Sequence, residues 1–582
     1  MLLVHFWNHL SKHRQKQFYV LLFLMIVSSF LEIVSIGAIL PFIGVLISPE
    51  EVYQYQLIQP LIQGLELTNP KQLLMPVTII FIVAIIFAGI VRLALLYIMT
   101  RLSHATGADL SIDIYHRTLH QDYSTHIMRN SSRIIDGIIT KTSTIISGVL
   151  TPVLTLVSAT IVLIGVLTAL LLINTQAAIL IFIAIGLIYW IVYFYSRQKV
   201  RENSKCIAKQ SVILIKTLQE GLGGIRDVLI DGTQKFYCKL YKDSDFPLRH
   251  ALGSNTFISS SPRYIVEAAG MTFMSIAAYI MIQQDGGTNI AVPVLAAFAL
   301  GAQRLLPAVQ QIYGSYSIFM GVQSSLEDVL ELLNQPILYD AINTTLNPIV
   351  FEKGIHVRNL SFRYAKDTPW VLKNVNIDIS KGSTIGFIGP TGSGKSTLLD
   401  IIMGLLNPSK GGLKVDGQTI NNKNKRSWQA HIAHVPQHIY LSDSTIEENI
   451  AFGISKNKVD FQQVKNASKQ AKITEFVDNL EHGYQTTVGE QGVKISGGQR
   501  QRIGIARAMY KKKDVLILDE ATSALDNKTE KDIMEAIENK VKDMTILIIA
   551  HRLTTLRSCD YIIKLDNEHN VSIVNYEDIV NE

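Results

Sequence analysis

The chain has 582 residues, 48% of them apolar, with a mean hydropathy of +0.24. It is too long and too apolar for one ordinary water-soluble domain. Its 54 basic and 48 acidic residues leave a formal charge of +6; the excess is modest and spread out, so it supplies no argument for nucleic acid and suits loops facing anionic lipid. Cys206, Cys238 and Cys559 show neither C-x-x-C nor metal-ligand spacing and are expected to be inert packing residues.

A membrane span needs about 20 apolar residues to cross a core about 30 Å thick. Six segments qualify, at roughly 18–48, 74–100, 148–173, 177–196, 257–283 and 289–320. The first exceeds a signal-peptide core and lacks a small-residue cleavage site, so it is expected to remain as a span. Loop charges set the orientation, because Lys and Arg collect on the cytoplasmic side. Lys12, Arg14 and Lys16 precede span one, Arg101, Arg117, Arg129, Arg133 and Lys141 lie between spans two and three, and Arg197, Lys199, Arg201, Lys205 and Lys209 follow span four. Both termini are therefore predicted inside. The connections 101–147 and 197–256 keep helical periodicity and read as cytoplasmic extensions of the spans.

After span one, Tyr53, Leu57, Leu61 and Leu65 recur at helical spacing among Gln54, Gln56, Gln59 and Gln63. This pattern predicts an amphipathic helix on the outer membrane surface, kinked at Pro60. Charged residues inside spans cost several kcal/mol unless paired or set in a watery cavity. Glu32, Arg92, Arg263, Glu267 and Arg304 are such residues; they read either as ion pairs holding the bundle together or as a polar, partly basic lumen for an anionic substrate.

Past Pro336 the apolar spans give way to alternating short strands and helices, which places a boundary near 336–350. Residues 355–364 read as strand. Residues 385–397, IGFIGPTGSGKST, are an apolar run ending in G-x-x-x-x-G-K-[ST]. In this phosphate-binding loop, made by Gly389, Pro390, Thr391, Gly392, Ser393 and Gly394, the glycines let the backbone curl so that N–H groups converge on phosphate, Lys395 neutralises it, and Ser396, followed by Thr397, is placed to ligate Mg²⁺. Further on come Val435-Pro-Gln437, then Ser496-Gly497-Gly498-Gln499 opening a helix, whose N-terminal N–H groups make a second anion site. Leu516-Ile-Leu-Asp519 is a buried strand delivering a carboxylate, with Glu520 beside it to polarise water. Ser523-Ala-Leu-Asp526 follows, and His551 ends another apolar strand.

These ordered motifs resemble the ATP-binding cassette (ABC) family over essentially all of residues 350–582, with Ile495 where the family usually has Leu. The resemblance implies the exporter (type IV) fold: an all-α six-helix membrane domain, residues 1–336, and a cytoplasmic α/β P-loop cassette, residues 337–582. It implies ATP and Mg²⁺ as cofactors. Tyr364 is then expected to face adenine, Gln437 and Asp519 to reach Mg²⁺ with Ser396, and His551 to contact the γ-phosphate and hold Glu520 in line. Ser496 and its neighbours, with Asp526, would act at the ATP of an opposite subunit, and the extensions would turn at coupling helices near Tyr123–Ser131 and Leu229–Phe236. One cassette and no internal repeat mean that two chains are needed, a homodimer being the economical reading and a heterodimer the alternative.

Three strings, Phe30-Leu-Glu-Ile-Val-Ser-Ile with Pro41-Phe-Ile, Ser261-Pro-Arg-Tyr-Ile-Val-Glu267 and Gln303-Arg-Leu-Leu-Pro307, resemble the lipid-linked oligosaccharide flippases of bacterial protein N-glycosylation. That resemblance implies a bacterial inner-membrane flippase, with Arg92, Arg263 and Arg304 as lumen residues for a pyrophosphate head. The alternatives are a multidrug, lipid or peptide exporter, and, in another class, an ATP-gated channel or receptor.

Overall fold

A computed structural model describes residues 2–37, 42, 45–46, 49–53, 59–64, 69–173, 175–282, 305–336, 349–522, 525–540, 544–550, 552–568 and 570–580. The chain divides into two compact units: residues 1–119 with 129–336, and residues 120–128 with 337–582. The short insert 120–128 thus belongs by its contacts to the second unit, although the sequence of the first unit flanks it.

The first unit is helical throughout its described residues. Its helices include Leu2–His9, Lys12–Gly37, Leu74–Leu119, Thr151–Ile173, Thr175–Gly223 and Gln234–Ile282. At about 1.5 Å per residue, the 46-residue helix Leu74–Leu119 is about 69 Å long, twice what a bilayer core needs. Its character changes along that length. Met75, Val83, Phe87, Ile90 and Leu93 are exposed, whereas Leu102, Ser103, Thr106, Leu110 and Ile114 are buried. Exposed apolar side chains in such a run are tolerable against lipid and not against water. The apolar part of the helix is therefore the span, and the remainder is its extension. Three described helical stretches, 12–34, 70–119 and 131–168, are long and apolar enough to cross a membrane; much of the predicted sixth span lies outside the described residues.

The second turn, expected near Leu229–Phe236, falls within those bounds: helix Ile225–Ile230 is followed by Gly232 at φ +65°, and this glycine allows the reversal. One sequence expectation shifts. Pro60 does not interrupt the described helix Gln59–Gly64 but stands in its first turn, where a missing N–H costs nothing; residues 54–58 and 65, the rest of that expected helix, are outside the described residues.

The stretch 131–150 contains two π-helical turns, Gly137–Lys141 and Ile146–Leu150. Beside the first, Lys141 and Asp136 are buried together at the centre of a charged cluster. Lys141 is 3% exposed and pairs with Asp328 and, at 3.5 Å, with the fully buried Asp136. Asp136 also accepts from the Ser211 hydroxyl at 3.2 Å, and Arg133 pairs with Glu331 at 2.6 Å. Removing one partner of a buried pair strands the other. Lys141→Met is accordingly expected to cost about 3–5 kcal/mol, read as a lower Tm of the detergent-solubilised protein. An unchanged Tm would contradict this assignment.

Among its described residues the second unit holds ten strands: β1 (Gly354–Phe362), β2 (Leu372–Ser380), β3 (Thr384–Ile388), β4 (Lys410–Val415), β5 (Gln418–Thr419), β6 (Ile432–Val435), β7 (Val515–Asp519), β8 (Thr545–Ile549), β9 (Tyr561–Leu565) and β10 (Val571–Val574). One sheet has the order β2-β1-β4-β5 and is antiparallel; the other runs β10-β9-β3-β8-β7-β6 and is parallel except for β10. The parallel strands carry continuous apolar runs because both faces are covered: β8 is buried at all five positions. Register sets Phe387 beside Ile549 and Ile549 beside Asp519, so β3, β8 and β7 end at one level. Ligands of open α/β sheets bind at such carboxyl ends.

Candidate nucleotide site and membrane cavity

The phosphate loop leaves the end of β3. Gly389 has φ +148° and Gly394 φ +92°. A Cβ at Gly389 would meet the Leu565 carbonyl oxygen at 2.2 Å, so only glycine permits the curl. Lys395 opens the helix Lys395–Ile402, and its Nζ donates to the carbonyls of Gly389 at 2.7 Å and Pro390 at 2.9 Å, which folds the ammonium over the loop. Burial lowers its pKa, against the charges of Glu520 and Asp519. The Ser393 hydroxyl is buried without a protein partner. A cradle closed to a Cβ at Gly389 and Gly394, with a buried unsatisfied hydroxyl and a helix N-terminus, fits a nucleotide's phosphates.

Tyr364 lies just beyond β1, 43% exposed, packed edge-on against Phe362 and hydrogen-bonded through its hydroxyl to Thr397 at 3.1 Å. A half-open ring hinged to the loop's helix suits stacking on a base. Asp519 ends β7. Glu520 follows it at φ +48°, a left-handed backbone that costs a non-glycine residue energy and gathers at functional sites. Its N–H donates to the Ile549 carbonyl at 3.1 Å, and its carboxylate accepts from Gln437 Nε2 at 2.6 Å. Glu520 and Gln437, 83 residues apart, thus stand together at the strand ends. Ser396, Gln437 and Asp519 are the residues that would hold Mg²⁺, which would supply charge neutralisation to a nucleotide's phosphates. On the same helix as Lys395, Asp400 has its pKa pushed up to about 6 by burial and by the charge of Asp519.

The Ser496–Gln499 segment caps its own helix. Ser496 accepts from the Gln499 N–H at 3.3 Å while Gln499 Oε1 accepts from the Ser496 N–H at 2.8 Å. The Ser496 oxygen is used as acceptor, so its proton stays available to donate. Asp526 accepts from the Thr529 N–H at 3.0 Å at the start of helix Asn527–Lys540, and the hydrogen bonds from Thr529 lower its pKa. His551 and Ser523 lie outside the described residues.

Two features of this unit were not anticipated from sequence. Lys425 pairs with Asp122 at 2.5 Å, pinning the turn before helix Tyr123–Met128. Lys425 begins helix Lys425–Gln429, whose Trp428 Nε1 donates to the Ile402 carbonyl at 2.7 Å at the end of the phosphate-loop helix. The other is a buried carboxylate, Glu530, at 4% exposure. Its signal was readable: Glu530 occupies the stripe of Ile533, Met534 and Ile537, where an apolar residue is expected.

In the first unit, a cavity of about 870 Å³ is lined by Met25, Ser28, Glu32, Arg92, Leu96, Thr155, Ser158 and Gln311, among others. Arg92 Nη1 lies 3.5 Å from Glu32 Oε1; the arginine is 60% exposed and the glutamate 15%. Arg263 is instead paired one turn along its helix with Glu267, at 2.6 Å, and is not in this lining. Arg304 is outside the described residues.

A helical unit with membrane-length helices in one chain with a P-loop unit is the arrangement of the ABC transporter class. The ABC transporter family matches residues 372–523, and the ABC transporter transmembrane region matches residues 18–303. The chain is similar to an ATP-dependent lipid A-core flippase of Saccharophagus degradans, 31% identical over 419 residues that make up 71% of this chain and 69% of that protein. It is likewise similar to a flippase of that name from Francisella tularensis, 31% identical over 371 residues, 63% of this chain and 60% of the relative. A Bacillus subtilis protein named for multidrug export is 30% identical over 399 residues, 67% of this chain and 66% of that protein. The matches span 65% and 60% of the first two relatives' own lengths. In fold, the chain is similar to a bacterial Atm1-family ABC exporter with ATP bound, with a TM-score of 0.74 and 22% identity over 94% of this chain and 95% of that one. The chain belongs to the ABC transporter family, as an exporter half-transporter of type IV fold.

Proposed function

We propose that two copies of this chain form an ATP-hydrolysing flippase of the bacterial inner membrane that moves a lipid-linked oligosaccharide or related glycolipid from the inner to the outer leaflet. In this reading residues 1–336 form the membrane domain and residues 337–582 the cytoplasmic nucleotide-binding domain. Glu520, His551 and Gln437 serve hydrolysis, and Ser496 of one copy faces the phosphate loop of the other. The observation that carries the substrate class is the cavity with a half-open arginine, Arg92, among Ser28, Thr155, Ser158 and Gln311. An arginine beside polar side chains and apolar walls suits an amphipathic anion, since its planar fork can donate two hydrogen bonds to one phosphate group. The lipid flippase names of the relatives support the same class. Support for the dimer comes from helix Ile225–Ile230, which leaves Leu229 and Ile230 exposed at 60% and 72%; these are surfaces a second copy would cover.

Arg92→Ala is expected to reduce flipping of a lipid-pyrophosphate glycan at least tenfold, the scale of a lost charge-assisted pair at about 1.5–3 kcal/mol. Basal ATP hydrolysis and Tm should stay near the wild-type values. A variant that flips at the wild-type rate would exclude Arg92 from substrate binding. A fall in Tm together with all activities would make the Arg92–Glu32 pair a brace of the bundle instead. The multidrug reading, favoured by the Bacillus subtilis relative's name, predicts transport of apolar cations that Arg92→Ala does not impair.

A further inference from the structure

We propose that Glu530 is a positioning residue for ATP hydrolysis, a buried clamp that holds the segment after Glu520 and the segment after His551 as one piece. The inference rests on the ATPase reading above and not on the identity of the transported lipid.

Glu530 is 4% exposed, and a carboxylate so buried is costly unless its oxygens are satisfied. Here they are. One oxygen accepts from the Thr522 hydroxyl at 2.8 Å and from the Thr555 hydroxyl, and the other accepts from Arg552 Nη1 at 3.0 Å. The same Arg552 nitrogen donates to the Leu525 carbonyl at 2.9 Å. Thr522 and Leu525 lie two and five residues past Glu520; Arg552 and Thr555 lie one and four past His551. The clamp therefore joins the two segments just where β7 and β8 stop.

The need for it follows from the backbone. The ladder between β7 and β8 ends at Asp519 beside Ile549, with the Glu520 N–H to Ile549 carbonyl bond just beyond it. Past that point side chains must hold the two segments together. Glu520 at φ +48° is in a conformation that persists only where its surroundings hold it. Glu530 also sits one turn into the helix capped by Asp526, so the cap, the Glu520 segment and the His551 segment share one anchor. A displacement of one is passed to the others.

The test uses the full chain in nanodiscs, with Mg-ATP as the only probe. Glu530→Gln keeps the size of the side chain and removes its charge. A double variant, Glu530→Leu with Arg552→Met, replaces the buried carboxylate and its half-exposed partner by apolar groups of similar volume, a change that is often neutral for stability. Both are expected to bind ATP with KM within about twofold of the wild type while kcat falls about 10- to 100-fold, the scale of a small misplacement of reacting groups. Hydrogen exchange of residues 521–526 and 552–556 should rise together in Glu530→Gln. The proposal is overturned if the folded double variant keeps the wild-type kcat, if KM rises with kcat unchanged, or if only one of the two segments loosens. A wild-type chain that hydrolyses ATP yet moves no glycolipid defeats the substrate reading and leaves this comparison intact.

Discussion

Glu520→Gln should bind ATP as the wild type does and hydrolyse it about 10²- to 10⁴-fold more slowly, the range supplied by a positioned general base. A carboxamide keeps the length of the side chain and can still bond to Gln437, whose Nε2 lies 2.6 Å from the Glu520 carboxylate. It cannot accept a proton. Glutamine also takes the φ +48° backbone at no more cost than glutamate, so the fold is not expected to change. ATP binding and ATP hydrolysis measured on one preparation check this, and hydrolysis near the wild-type rate would remove Glu520 from the catalytic assignment.

The second large effect concerns the division of labour between two chains. Each chain supplies one phosphate loop and one Ser496 helix. Lys395→Ala removes the ammonium that lies over the loop, and Ser496→Ala removes both the hydroxyl donor and the helix cap, so each homodimer should be nearly inactive. A dimer of one Lys395→Ala chain with one Ser496→Ala chain behaves differently if Ser496 acts on the opposite subunit's nucleotide. One site then carries both lesions and the other carries neither, and the mixed dimer should recover activity that neither homodimer has. If Ser496 served its own chain's loop, both sites would be damaged. Mixed dimers as inactive as the parents would therefore contradict the trans arrangement.

The family and the exporter fold were legible in the sequence because phosphate chemistry tolerates few residue types at each place. Gly389 and Gly394 sit at positive φ that side chains resist, and Lys395 and Asp519 have charges that nothing apolar replaces. The parallel strands were legible for a different reason: burial on both faces forces uninterrupted apolar runs such as Val515-Leu-Ile-Leu518. What escaped depends on partners remote in sequence. The Asp122–Lys425 pair spans 303 residues, and local periodicity carries no trace of it. Lys141 read as one more basic loop residue, whereas packing buries it with Asp136 and Asp328. Arg263 read as equivalent to Arg92, yet a glutamate one turn along its own helix takes its charge, while Arg92 borders the cavity. Glu530 left a local mark, a carboxylate in an apolar stripe, but its three partners come from two segments that only the sheet brings together.

The most direct test of the account is ATP-driven translocation in proteoliposomes that contain the purified chain and a fluorescent lipid-pyrophosphate glycan, followed by loss of the label's accessibility on one leaflet. The account predicts transfer that requires Mg-ATP, stops with Glu520→Gln, and falls at least tenfold with Arg92→Ala while that variant's basal ATP hydrolysis persists. Wild-type protein that hydrolyses ATP in the same vesicles but moves the glycolipid no faster than empty membranes would contradict it.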